Sequence, residues 1–254
     1  MKNPIQKTLL FFSFLFVITF IAQAKNDVKA FNVVFIGNSI THGACLKDPA
    51  TQAPPVMAVN YLNEHQCRVK FANCGVSGST TVDWLPVTNK LFPKAVKAAD
   101  TLYNKGVPMI FSIMIGTNDS AIKGPNGSPV SPEDYKKNLL TIIDSLLQRY
   151  PQSHIILNRP IWYSPNTHNS ALYMAEGLAR LQTYTPIIIE ITKLRSKQVC
   201  MGDTKAFEFF KKNSLEYLTA EKGNSGTFYL HPNALGAKKL GEIWAKVIKN
   251  RFSE

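Results

Sequence analysis

Apolar runs of strand length alternate along the chain with stretches whose apolar residues recur at helical spacing. The segments "NVVFIG" (32–37), "RVKFAN" (68–73), "VPMIFSIMIG" (107–116) and "HIILNR" (154–159) predict four strands. The third is apolar at nearly every position, as expected of a strand buried on both faces. Between the strands, "PPVMAVNYLNEH" (54–65) predicts a helix with proline at its start, and "PKAVKAADTLYNK" (93–105) predicts another. In the stretch 131–150, Ser131 is a cap, Pro132 suits the first turn, and Glu133 and Asp134 complement the helix dipole. Leu139, Ile143, Leu146 and Tyr150 follow as one apolar stripe.

The stretch 168–215 fits two patterns. "TPIIIEITKLRS" reads as a strand by its β-branched run, or as a helix capped at Thr185 with Pro186 in its first turn. We prefer the helix, followed by a short fifth strand, "QVCMGD" (198–203). A last helix carries Leu240, Ile243, Trp244, Val247 and Ile248 at helical spacing. This alternation predicts an α/β fold: a single-domain, three-layer, flavodoxin-like sandwich of about five parallel strands with helices on both faces. In such folds the site lies beyond the carboxyl ends of the strands.

The first 24 residues carry Lys2 and Lys7, an apolar run from Leu9 to Ile21, and then Ala22-Gln23-Ala24. That is the layout of a secretory signal peptide, too short in its apolar run for a comfortable membrane span. It predicts a domain over 25–254 and a periplasmic or secreted protein without a stable membrane anchor. Removing both lysines lowers the formal charge from +12 to +10. The remaining lysines are scattered, which favours an anionic glycan or envelope surface over nucleic acid. Cys45, Cys67, Cys74 and Cys200 allow three disulfide pairings, and buried free thiols fit the sequence equally well. Cys67 and Cys74, seven apart on one expected strand, point to opposite faces and should not pair with each other. No local Cys/His spacing indicates zinc, so neither metal nor cofactor is expected.

Four short segments interrupt the strand ends: "GNSI" after the first, "NCGVSGST" after the second, "GTND" after the third, and "LHPN" before the last helix. In order and content they resemble the SGNH/GDSL hydrolase family of esterases and acylhydrolases, from Val33 to the final helix. The resemblance implies Ser39 as nucleophile, His231 as general base, and an oxyanion hole from Ser39, Gly78 and Asn118. Asn38 stands where the family usually has aspartate. Elementary chemistry agrees: a serine hydroxyl needs a base, and an oxyanion needs preorganised donors. His42 is the rival base by its closeness to Ser39 in sequence.

The family usually carries an aspartate three residues before the histidine, and here that residue is Phe228. Three groups could orient His231 instead: a backbone carbonyl, Asp203 or Glu221, with the carbonyl slightly preferred. Arg159, Trp162 and Tyr163, after the fourth strand, are candidate substrate contacts, the rings as a sugar platform. The resemblance is greatest to exported bacterial carbohydrate acetylesterases. A lysophospholipase or thioesterase is the alternative enzyme; a glycan-binding protein or O-acetyltransferase is the alternative of another kind.

Overall fold

The computed structural model describes residues 28–252, so the expected signal peptide lies outside the described residues. Five strands form a parallel sheet in the order β2-β1-β3-β4-β7. They are β1 (Lys29–Gly37), β2 (Cys67–Asn73), β3 (Met109–Met114), β4 (His154–Leu157) and β7 (Val199–Met201). This is the flavodoxin-like order expected from the alternating pattern. The β3 strand is buried at every position, which explains its near-continuous apolar run; its one polar residue, Ser112, accepts from Asn158 Nδ2 at 2.9 Å.

Helices α1 (Ser39–His42), α2 (Pro49–Gln52) and α3 (Pro54–Glu64) lie between β1 and β2. The connections back across the sheet are α4 (Phe92–Leu102), α5 (Pro132–Arg149) and α6 (Ala175–Leu194). The chain continues through α7 (Ala206–Lys212) and α8 (Ser214–Tyr217) and ends in α9 (Ala234–Phe252). Right-handed crossovers put α3 on one face and α4, α5 and α6 on the other. The α9 helix packs along α3, and its Trp244 stacks on Phe35 of β1 with ring centroids 5.8 Å apart.

The helix expected to be capped at Thr185 is capped eleven residues earlier, at Met174, and Pro186 lies in its interior. An interior proline ordinarily costs a backbone hydrogen bond and introduces a clash. Here Leu181, Tyr184, Ile188 and Ile191 form one buried stripe that runs through the proline. Tyr184 also stacks on Tyr135 of α5 at 3.9 Å. Packing of that stripe outweighs the local preference.

Two hairpins absent from the sequence reading extend from this frame. They are β5–β6 (Asn166–His168 with Ala171–Tyr173) and β8–β9 (Leu218–Gly223 with Gly226–Pro232). Asn166 fastens one to the other. Its Nδ2 donates to the carbonyls of Ser225 and Thr227, and its Oδ1 accepts from Ser225 N–H. Cys67 opens β2 and Cys74 lies just past its end, while Cys45, Cys74 and Cys200 are free thiols.

Candidate active site

The β1 strand must end at a glycine. A Cβ on Gly37 would lie 2.6 Å from the Met114 carbonyl oxygen and 2.1 Å from Thr41 Oγ1. The next residue, Asn38, caps α1 through its side-chain oxygen, which accepts from Ile40 N–H at 3.0 Å. An amide oxygen serves that cap as a carboxylate would, which explains why asparagine is tolerated there. Ser39 is then the first residue of α1. Its own N–H has no acceptor within the helix and is free for an anion.

Asn73, Gly75 and Ser79 hold the loop after β2 against this turn. Asn73 Nδ2 donates to the Thr41 carbonyl at 2.9 Å, and its Oδ1 accepts from Gly75 N–H. Ser79 Oγ donates to the Gly37 carbonyl at 3.2 Å. Gly78 sits at φ +76°, a conformation that side chains rarely adopt. Asn118, after β3, is buried. Its Nδ2 donates to the Ser79 carbonyl at 2.8 Å, and its Oδ1 accepts from the Tyr173 hydroxyl at 2.6 Å. Those two bonds fix the amide's orientation and leave its second N–H free.

Ser39 Oγ and His231 Nε2 are 2.9 Å apart, and His231 Nδ1 lies 2.8 Å from Glu221 Oε1. The group at Nδ1 is therefore the Glu221 carboxylate, and the preferred backbone carbonyl is not there. Asp203 is not there either, because its Oδ2 accepts from Ala206 N–H at the start of α7. Across the β8–β9 hairpin Glu221 pairs with Phe228. The carboxylate thus stands on the strand facing the place where the family's acid is expected. Phe228 itself is fully buried, between the rings of His168 (5.2 Å) and Tyr173 (5.5 Å).

Glu221 Oε2 is also 3.3 Å from His168 Nε2 and accepts from the Cys45 thiol at 3.5 Å. Burial pushes the Glu221 carboxyl up, but the bond to His231 and the charges of His231 and His168 outweigh it, so it is held below the usual carboxylate range. The Cys45 thiol is pushed up to about 11 by burial first, then by the Glu221 charge and the bond to it. It is protonated at neutral pH and is not a nucleophile in this setting. His42 is exposed at the end of α1, and His231 is the imidazole at Ser39.

Ser39, Gly78, Asn118, Glu221 and His231 share one cleft of about 970 Å³ at the carboxyl ends of β1 and β3. The strand order reverses there, which is where open α/β sheets bind ligands. Asp83, Lys90, Lys123, Asn126, Asn169 and Ser170 give its walls polar groups. Arg159, Trp162 and Tyr163 are not among the lining residues, against expectation. Arg159 lies over the Phe207 ring at 4.0 Å. Tyr163 is fully buried with its hydroxyl 3.0 Å from Ser120 Oγ, and Trp162 packs on the core. Sequence reasoning missed His168 and Tyr173; the Asn169-Ser170 turn ahead of "ALY" was the available signal.

The model of the family described as "GDSL-like Lipase/Acylhydrolase family" matches residues 35–239. The chain belongs to this family. GDSL-like lipases and acylhydrolases are carboxylic ester hydrolases, and solved structures with the same fold include several. A carbohydrate acetylesterase from Sinorhizobium meliloti superposes with a TM-score of 0.61 at 15% identity, covering 87% of this chain and 100% of that one. An acetylxylan esterase from Geobacillus stearothermophilus gives 0.59 at 18% identity, covering 89% and 96%. A lipase/acylhydrolase from Enterococcus faecalis gives 0.58 at 18% identity, covering 87% and 96%. An uncharacterized protein of Mycoplasma pneumoniae (strain ATCC 29342 / M129 / Subtype 1) is 32% identical over 134 residues, which are 52% of this chain and 14% of that protein. The chain therefore spans a small part of that curated relative's length.

Behind the cleft this GDSL-like chain buries Asp119. Its Oδ1 accepts from the backbone and hydroxyl of Thr81, while its Oδ2 has no hydrogen-bond partner. Burial raises the carboxyl to about 6, against the Thr81 bonds that lower it. The folded state thus holds this proton more tightly than the unfolded state. The contribution is fully present below about pH 4 and is lost as pH rises through 6. Asp119→Asn should remove that dependence. The stability difference between variant and wild type, followed by denaturant unfolding, should shift in the variant's favour by roughly 2–3 kcal/mol from pH 4 to 7. A difference constant with pH would refute it.

Proposed function

We propose that this chain is an exported serine esterase that removes O-acyl groups, O-acetyl above all, from carbohydrate through an acyl-enzyme. The observation that carries the reading is the unbroken chain Ser39 Oγ–His231 Nε2, His231 Nδ1–Glu221 in one cleft. Ser39 Oγ attacks the ester carbonyl while His231 Nε2 takes its proton. Glu221 accepts from Nδ1–H, so Nε2 stays free to act as the base, and it steadies the imidazolium that forms. The oxyanion receives the Ser39 and Gly78 backbone N–H groups and the free N–H of Asn118. His231 returns the proton to the leaving alcohol, then activates the water that cleaves the acyl-enzyme.

Polar side chains set among the cleft's lining, Asp83, Lys90, Asn126 and Asn169 among them, and the acetylesterases among proteins of the same fold support a carbohydrate substrate. Export rests on the pattern of the first 24 residues; Edman sequencing of the periplasmic or secreted protein should begin at Lys25, and an intact Met1 would refute it. Turnover of aryl esters of increasing acyl length, then of O-acetylated oligosaccharide, tests the substrate. Acetyl should be preferred. Preference for long acyl chains would indicate a lysophospholipase or thioesterase instead, and binding without turnover a glycan-binding protein.

Asn118→Ala should lower kcat by about 10²–10³ with KM little changed, because one oxyanion donor is lost. Steady-state kinetics on the acetyl ester checks this. An unchanged kcat would remove Asn118 from the hole.

A further inference from the structure

Besides Glu221, His231 Nδ1 has a second neighbour, the Cys45 sulfur at 3.6 Å. The same sulfur is 3.5 Å from Glu221 Oε2. One thiol, one carboxylate and one imidazole thus offer ligand atoms within 4.8 Å of one another. We propose that Cys45, Glu221 and His231 form a site for a zinc ion whose binding switches the esterase off.

The donor set and the spacing both fit zinc. Tetrahedral coordination, with zinc–sulfur about 2.3 Å and zinc–nitrogen and zinc–oxygen about 2.0–2.2 Å, sets sulfur–nitrogen and sulfur–oxygen edges near 3.6 Å and a nitrogen–oxygen edge near 3.4 Å. The sulfur lies 3.6 Å from His231 Nδ1 and 3.5 Å from Glu221 Oε2, which are those lengths. The 2.8 Å hydrogen bond of His231 Nδ1 goes to the other carboxylate oxygen, Oε1, and must break when zinc takes the Nδ1 lone pair, leaving Oε2 as the oxygen ligand. Thiolate with imidazole favours zinc over magnesium or calcium, which take oxygen ligands. All three residues line the cleft, so an ion can reach them and solvent can supply a fourth ligand. Cys45 is turned toward the cluster at φ +67°, a backbone conformation uncommon outside glycine. The cluster escaped the sequence because its members lie at positions 45, 221 and 231, with no local ligand spacing.

Inhibition follows from proton placement. Zinc takes the Nδ1 lone pair, so the imidazole proton moves to Nε2, and the Cys45 proton leaves to solvent. Nε2 then carries hydrogen where it had accepted from Ser39, and the serine loses its base. This inhibitory half rests on the function proposed above; the binding half does not.

Cobalt(II), titrated into the full-length protein as a coloured substitute for zinc, reads binding without reference to activity. One cobalt per chain should give a thiolate-to-metal charge-transfer band, displaced by zinc and absent from Cys45→Ala and Cys45→Ser. In parallel, zinc should inhibit aryl-acetate turnover, a chelator should restore it, and the zinc concentration for half inhibition should rise at least about tenfold in Cys45→Ala, each variant being normalised to its own zinc-free rate. Absence of the band, its persistence in both variants, or equal inhibition of wild type and Cys45→Ala would overturn the site. The expected band in a protein with no esterase activity would uphold the metal site and reject the functional reading instead.

Discussion

Ser39→Ala should reduce ester turnover by about 10⁶-fold while the protein still folds and still binds its substrate. Ser39 is 8% exposed, at the floor of the cleft and at the start of α1, so removing one oxygen leaves no large cavity and unpairs only the His231 nitrogen. Residual acceleration over water should persist, because the oxyanion donors remain. A serine-directed phosphonate should label the wild type at Ser39 alone and leave the variant unlabelled. The large loss also separates Ser39 from His42 and the other polar residues of the turn, whose removal should change turnover far less. Normal hydrolysis by Ser39→Ala would reject an acyl-enzyme on Ser39, whereas a wild type that binds carbohydrate without any turnover would leave the glycan-binding alternative standing.

The parts of this site that were legible in the sequence are those attached to the sheet. Each of Ser39, Gly78 and Asn118 follows a strand that is recognisable by its apolar run, and the parallel order brings those three ends together. His231 was legible through "LHPN", where Asn233 caps the last helix by accepting from Gly236 N–H. Glu221 could be named only as one of three candidates. Its strand, "LTAEKG", carries little hydrophobic pattern, and its place beside His231 comes from pairing with β9. The carboxylate is thus supplied by tertiary structure, which motif spacing along one strand does not encode. The same limit misled the reading of Arg159, Trp162 and Tyr163: an aromatic after a strand can face a cleft or the core, and periodicity does not separate the two. Pro186 misled in the other direction, as a local stop signal overridden by a stripe of buried side chains.

Glu221→Gln should lower kcat by about 10³–10⁴ with the fold intact, the loss seen when a carboxylate at a catalytic imidazole becomes an amide. A glutamine can turn its N–H₂ toward Nδ1, favouring the tautomer that carries hydrogen on Nε2, which is the wrong nitrogen for a base. It also removes the charge that stabilises the imidazolium. The native carboxyl is held below its ordinary range, so it stays ionised at neutral and mildly acidic pH and loses its role only as pH falls through that lowered value. Asp203→Asn is the matched control. Its carboxylate caps the start of α7 outside the cleft lining, so the change should cost at most about 1 kcal/mol of stability and leave kcat near wild type. Moving the acid back by Phe228→Asp should not rescue Glu221→Gln, because residue 228 is sealed between His168 and Tyr173 and a carboxylate there would be buried. Kinetics of the three variants, with circular dichroism to confirm folding, decide the matter. Near-normal turnover in Glu221→Gln would mean that His231 keeps its working tautomer without a carboxylate, and the site would act as a serine–histidine dyad.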